Sequence, residues 1–402
     1  MNLDRAFRLD HPFVAAALLA PLVALFASHG LAPLEAVAAV WALWLLWRQK
    51  RLAEIAATPY AALFASLVVW ALVSAIWALD RRNALSTTGG VAGLFVATLI
   101  LFAAARGLDE AGRLRVRNAL LAGWLLGVAL LGSELLTGDF LNHTLRYWHN
   151  GQTVLRTGVN DPMTVVLLLL GFAAAAAAGR RHGLWLALLL PLPPILLSHF
   201  VNSHSTRLAG LLGYGVLLAV WLLGRRAAQA LGWLTGILML IIPLLPKGPL
   251  APEHWQEVLS GVKYSALHRL YIWQFAAGRI AEKPLQGWGM DGARTIPGGN
   301  QPLPTGGVAL GLHPHNVPLQ IWLELGLPGA LLAAATLWLA FATAGRLPNR
   351  LDRAAACAML VAALTVASLS FGIWQSWWVA TMGLFAALAG GALGGPARTD
   401  RN

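Results

Sequence analysis

Two histidines and an asparagine, His313, His315 and Asn316, open the stretch HPHNVPLQIWLELGLPG at 313–329, which is otherwise apolar enough for the middle of a bilayer. A neutral imidazole can take a proton from a hydroxyl nucleophile, and a nearby carboxylate can orient the ring. Gln320 and Glu324 follow Asn316 at intervals of four, so on a helix the three residues form a polar stripe that lipid should not face. Glu324 is therefore a candidate for orienting a histidine. Capping of the helix accounts for Asn316 and, with internal hydrogen bonds, for one histidine. The second histidine is then left without a purpose.

Cations suited to an anionic substrate lie elsewhere in the chain. Arg207 follows Asn202, Ser203, His204, Ser205 and Thr206 at the mouth of an apolar run. Ser205 or Thr206 can cap that helix, but a cation just inside a helix N-terminus opposes the helix dipole, so capping does not explain Arg207. Snorkelling to the interface is one explanation, and a guanidinium fork matched to phosphate oxygens is the other. Arg269 stands one helical turn before Trp273 in a second segment, HRLYIWQFAAGRIAEKPLQGWGMD at 268–291. Arg81, Arg82, Arg146 and Arg156 belong to segments expected on the same membrane face, where headgroup contact or an anionic ligand explains them. No phosphate loop, dinucleotide fingerprint or paired aspartates are found in these segments. His313 and His315, taken with His254, His268 and Asp291, match no ligand spacing, so neither metal nor cofactor is expected.

These groups need a scaffold, and the composition dictates its kind. The chain has 402 residues, 58% hydrophobic and 11% charged, with a mean hydropathy of +0.64. That mixture excludes a water-soluble domain of this size. Apolar runs long enough to cross a bilayer as helices lie near 11–28, 31–47, 59–79, 89–106, 117–136, 162–179, 183–199, 207–224, 229–246, 316–342, 354–371 and 373–393, about twelve spans. Residues 11–26 have the length of a signal peptide, but another apolar run follows at once, and they are read as the first span. Most of the 29 lysines and arginines fall in the short segments on the side of both termini. Positive-inside bias therefore places both termini in the cytoplasm, and topology rather than nucleic-acid binding explains the net charge of +12. Cys357, alone in an apolar run, offers no disulfide or thiolate site. Residues 1–402 thus read as one integral all-α membrane domain. Its one long outer loop, 247–315, includes an amphipathic helix near 266–281 with Leu267, Leu270, Phe275 and Ile280 on its apolar face.

SHSTR at 203–207, the 268–291 segment and HPHNVPLQIWLELGLPG together resemble the O-antigen ligase and polymerase superfamily, most closely the O-antigen ligases. The resemblance covers most of the chain. It implies a polytopic glycosyltransferase of the membrane-embedded, GT-C-like class in the inner membrane of a Gram-negative bacterium, a monomer with its active site facing the periplasm. The implied donor is O-antigen polysaccharide on undecaprenyl diphosphate, and the implied acceptor is a sugar hydroxyl of lipid A–core. Their union completes lipopolysaccharide. Transfer in such a family is metal-independent and inverting, with a histidine acting on the acceptor hydroxyl and arginines holding the donor diphosphate. Carried onto this chain, the histidine is His315 or His313 and the arginines are Arg207 and Arg269. Arg81, Arg82, Arg146, Arg156, Trp273 and Asn316 are further candidates for contact with phosphate or glycan. An O-antigen polymerase and a protein O-oligosaccharyltransferase remain open as enzymes, and an anionic-lipid transporter as a different class.

Overall fold

A computed structural model describes residues 8–141, 143–144, 156–260 and 264–394. In chain order its helices are α1 (His11–Phe26), α2 (Leu31–Arg48), α3 (Ala53–Ala56), α4 (Ala61–Ser74), α5 (Arg81–Arg106), α6 (Glu110–Thr137), α7 (Arg156–His182) and α8 (Leu184–Leu189). There follow α9 (Leu192–Phe200), α10 (His204–Leu223), α11 (Arg225–Ile241), α12 (Pro252–Ser260), α13 (Tyr264–Glu282), α14 (Val317–Gly345), α15 (Arg350–Ala367) and α16 (Ser376–Ala392). There is no strand among the described residues. The chain is an all-α, polytopic membrane protein. Seven segments are long and apolar enough to cross a membrane, and four shorter apolar helical segments accompany them.

The interior is made by close helix pairs. Central to it is α7, whose apolar residues from Met163 to Ala178 are almost all buried. It packs against α6 and α15, while α10 lies along α15, α11 along α14, and α5 against α2 and α16. Small residues permit the close approaches: a Cβ at Gly123 of α6 would lie 2.1 Å from the Ala17 carbonyl oxygen of α1. The outward faces are apolar as well, with Val37, Val40, Leu211, Leu222 and Trp233 exposed, as a lipid-facing surface requires.

The helix ends separate into two faces. At one, arginines satisfy the carbonyls that end helices and pair with carboxylates. Arg117 donates to Ala392 (2.7 Å), Arg115 pairs with Asp10 (2.6 Å) and Arg180 with Asp352 (3.2 Å). The start of α14, the start of α5, the end of α4 and the loop between α15 and α16 share the opposite end.

Helix edges differ from the sequence expectation where capping or proline intervenes. Arg81 and Arg82, expected in a loop, form the first turn of α5, because the Asp80 carboxylate accepts from the Asn83 N–H (3.0 Å) and starts the helix early. The run 183–199 is divided into α8 and α9 around Pro191, and α11 tightens into a 3₁₀ turn, Ile242–Lys247, containing Pro243 and Pro246.

The most consequential break is inside α14. Gly326 has φ +61° and ψ −157°, and Pro328 follows it. A break here strands backbone carbonyls within a membrane helix, a state tolerated only where protein supplies donors. The segment PLQGWG at 284–289 and Trp70 of α4 supply them. Trp288 N–H donates to Leu323 (2.8 Å), Gly289 N–H to Glu324 (2.9 Å) and Trp70 Nε1–H to Leu325 (2.8 Å), while Leu327 N–H returns a bond to Pro284 (2.9 Å). Backbone approaches backbone so closely that a Cβ at Gly326 would lie 2.4 Å from the Leu285 oxygen, and one at Gly287 2.4 Å from the Glu324 oxygen. The glycines of the two segments are thus two sides of one contact.

Candidate active site

The histidine pair sits immediately before α14, at the end of the loop that begins after α11. Asn316 is the N-cap of α14: its Oδ1 accepts from the Leu319 N–H at 3.0 Å, and its side chain is buried. Asn316 therefore fixes the helix start, and with it the two imidazoles just upstream. α13 fixes the same segment from the other side, since Trp273 Nε1–H donates to the Pro314 carbonyl at 2.9 Å. The buried Leu267, Leu270 and Ile280 of α13 face the bundle, and Phe275 stacks with Arg279 at 5.3 Å.

Hydrogen bonding distinguishes the two rings. His315 Nδ1 is 2.7 Å from the Ser370 carbonyl oxygen, in the loop between α15 and α16. A carbonyl only accepts, so Nδ1 carries the proton and Nε2 is left as the basic nitrogen. His313 has the reverse arrangement. Its Nδ1 accepts from the His315 backbone N–H at 3.2 Å, which puts the proton of the neutral ring on Nε2. The rings meet edge to face with centroids 4.4 Å apart. His315 also has φ +50°, a left-handed backbone that costs energy outside glycine and asparagine and is held by these contacts.

Both imidazoles are kept neutral. Burial, then the charges of His315 and Arg294, push His313 down to about 4. For His315 burial again acts first, opposed by the bond to Ser370 and reinforced by Arg269 and His268, and the outcome is a value below the ordinary 6.5. His315 is thus a neutral base with a fixed tautomer at pH 7, beside the guanidinium of Arg269. His268, one residue before that arginine, has its Nδ1 2.9 Å from the Thr305 hydroxyl.

Glu324 is fully buried and holds the site from below. Among the described residues it is hydrogen-bonded to no imidazole. Its Oε2 accepts from the Asp291 N–H (2.9 Å) and the Trp374 indole, and its Oε1 from the Ala293 N–H (3.3 Å) and Gln320 Nε2 (3.1 Å). Its link to His315 runs through Gln320, whose Oε1 accepts from the Ile373 N–H at 3.0 Å. Gln320 and Trp374 therefore moor the loop that presents the Ser370 carbonyl, and Gly372 of that loop lies against His313, so close that a Cβ would be 2.9 Å from the ring. The polar stripe expected at residues 316, 320 and 324 is real. Its members are a cap, a bridge and a mooring point.

The other candidate arginines are dispersed. Arg207 donates to His199 Nδ1 (2.9 Å) and to His204 Nδ1, at the junction of α9 and α10. Arg81 donates to the Ala75 and Ile76 carbonyls (3.3 and 3.0 Å), so it closes the end of α4, while Arg82 is exposed. Arg146 lies outside the described residues, and Arg156 is described only as the first residue of α7. Sequence reasoning missed Ser370, Trp374, Asn83, Thr87 and Arg294. Only the tryptophan and arginine types hint at a site, and no spacing links any of the five to the histidines.

Residues 164–334 match the family described as O-antigen ligase. That segment includes Arg207, Arg269, both histidines and Glu324. Over that segment the chain is similar to the O-antigen ligase family. Its relatives include a protein of Rickettsia conorii named "Putative polysaccharide ligase", 27% identical over 335 residues, which cover 78% of this chain and 74% of that one. Proteins of the same name from Rickettsia felis and Rickettsia bellii are 26% and 27% identical, each covering 78% of this chain and 75% of their own. The parts that complete the site from α4, α5 and the 368–375 loop lie outside the matched segment.

Proposed function

We propose that the chain is a polysaccharide ligase that transfers O-antigen from undecaprenyl diphosphate to a sugar hydroxyl of lipid A–core at the periplasmic face of the inner membrane. The observation that carries this reading is the Ser370 carbonyl on His315 Nδ1, which leaves Nε2 basic beside Arg269. The match of residues 164–334 to the O-antigen ligase family and the relatives' names support the substrate class.

In the proposed reaction the acceptor oxygen attacks the anomeric carbon of the lipid-linked sugar. The new glycosidic bond forms as the bond from that carbon to the diphosphate breaks, and the bonding pair leaves with the diphosphate. The acceptor proton goes to His315 Nε2. Attack opposite the leaving group inverts the anomeric centre. Arg269 and Arg207 neutralise the charge growing on undecaprenyl diphosphate, a task suited to fixed guanidinium groups in a partly dry cleft. His313, with its proton on Nε2, supplies a hydrogen-bond donor rather than a second base. Glu324 is a positioning residue that acts on His315 through Gln320 and the Ser370 loop. Arg81, Arg82, Arg146, Arg156 and Trp273 are assigned no chemical step; Trp273 positions the histidine segment.

Reconstitution tests this proposal. Purified protein in lipid vesicles, supplied with undecaprenyl-diphosphate-linked glycan and lipid A–core in the presence of EDTA, is expected to form glycan-capped lipid A–core. Lengthening of the lipid-linked glycan in the absence of core would make the protein a polymerase. Loss of product in EDTA, restored by a divalent cation, would overturn the metal-independent step.

A further inference from the structure

Arg294 is presented with unusual care for a surface arginine. It lies in the 3₁₀ turn Gly292–Thr295, and three helices hold residues 290–293 that lead into it. Met290 N–H donates to the Ser74 hydroxyl of α4 (3.0 Å), and the Asp291 and Ala293 N–H groups donate to Glu324 of α14. The Asp291 carboxylate accepts from Asn83 Nδ2 (2.7 Å) and the Thr87 hydroxyl (3.1 Å) of α5. Asp291 itself is held at φ +54° with its carboxylate nearly buried.

The guanidinium is half exposed and meets Asp291 only through Nε, 3.1 and 3.2 Å from the two carboxylate oxygens. No hydrogen bond occupies its Nη groups among the described residues. If charge neutralisation of Asp291 were its whole role, the anchoring by Asn83 and Thr87 would be superfluous, since a solvated ion pair needs no such support. Anchoring by Nε holds the side chain in one direction and leaves the Nη edge open, the edge whose spacing suits two phosphoryl oxygens. The guanidinium is also near enough to His313 for its charge to add to the lowering of that ring's basicity.

We propose that Arg294 binds a phosphate group of a substrate, as a further guanidinium in addition to Arg207 and Arg269, oriented by Asp291. The assignment rests on the ligase reading above. One chemistry has two sources here, the diphosphate of the donor and a phosphate carried by the acceptor sugar.

The test compares wild type with Arg294→Gln, Arg294→Lys and, as a surface control, Arg279→Ala. Arg279 pairs with Glu282 and stacks on Phe275. Apparent KM is measured separately for donor and acceptor, and binding of unglycosylated undecaprenyl diphosphate is measured by calorimetry without turnover. Arg294→Gln is expected to raise one KM by about tenfold to a hundredfold, the loss of a charge-assisted contact. Arg294→Lys recovers only part of it, because it keeps the charge and loses the fork. A raised donor KM with weakened diphosphate binding identifies the donor as the source. A raised acceptor KM that disappears with dephosphorylated core identifies the acceptor. Unchanged KM values and diphosphate binding in folded Arg294→Gln overturn the proposal. If wild type binds the diphosphate but does not ligate, the ligase reading fails, and the binding comparison still decides whether Arg294 contacts phosphate. Should Arg294→Gln fail to fold, Arg294→Lys, which preserves the ion pair, carries the same comparison.

Discussion

His315→Asn separates the base from everything else that His315 does. An asparagine Nδ2 occupies the place of the imidazole Nδ1, so it can donate to the Ser370 carbonyl that His315 meets at 2.7 Å. Asparagine also accepts the left-handed backbone, φ +50°, better than histidine does. The substitution removes only Nε2. Loss of the loop contact alone would amount to about 0.5–1.5 kcal/mol, roughly a threefold to tenfold effect on a rate. Loss of a positioned general base is expected to lower turnover by about 10²–10⁴-fold, or about 2.7–5.4 kcal/mol of barrier. The assay is single-turnover ligation in vesicles under saturating substrates, with melting temperature in detergent as the folding control. His313→Asn is the matched comparison, since its Oδ1 can still accept from the His315 N–H as Nδ1 does. It is expected to cost no more than about tenfold, the worth of one donor. Near-normal turnover in His315→Asn with collapse in His313→Asn would refute the tautomer argument and make His313 the base.

Three further outcomes follow from the geometry. Glu324→Gln leaves one acceptor oxygen where two served four donors, so at least two contacts to a carboxylate, worth about 1.5–3 kcal/mol each, are lost. Melting temperature and turnover are both expected to fall, and a wild-type melting curve would contradict the mooring role. Trp273→Phe removes the donor to the Pro314 carbonyl and is expected to destabilise by about 1–3 kcal/mol, lowering turnover without changing how rate depends on pH; unaltered stability by denaturation in detergent would argue against the tie between α13 and the histidine segment. For pH, a base must be neutral to act, so acid suppresses the rate. Because burial depresses His315, the acid limb should fall below 6.5. Removing the nearby charge with Arg269→Gln should move that limb upward, as read from single-turnover rates against pH. The depressed His313 makes a linked statement about stability: between about 4 and 6.5 an unfolded chain binds a proton that the native ring refuses. Stability contributed by this group therefore declines as pH drops through that window, and His313→Asn should flatten the decline in melting temperature.

What the sequence disclosed of this site follows from which forces act locally. The apolar runs are governed by bilayer thickness, so a helix stands at each expected span, while capping at Asp80 and the prolines around Pro191 and Pro243 shift their edges. Helical spacing made the stripe Asn316, Gln320 and Glu324 visible, because a polar face within an apolar helix has to be used by protein. What each member does was not visible. Glu324 is linked to the His315 segment only through a glutamine and a loop some 50 residues farther on, and the atom that fixes the histidine tautomer is a backbone carbonyl, which any residue at position 370 would supply. Arg294 was hidden for a related reason. Its placement depends on Asn83 and Thr87, some 200 residues earlier, and only the folded bundle brings them to Asp291. The same physics explains why PLQGWG and ELGLPG were readable as markers but not as partners. Each glycine is required by the other segment's backbone: Gly287 by the Glu324 carbonyl, and Gly326 by that of Leu285. The break in α14 thereby turns a membrane helix into a platform, with the freed carbonyls gripping the loop that carries Asp291 and Arg294. The carboxylate of Glu324, two residues before the break, grips both that loop and the one that carries Ser370. Base and guanidinium are consequently positioned by one buried carboxylate, so a defect at Glu324 should impair proton transfer and phosphate binding together, whereas defects at His315 or Arg294 should impair only one.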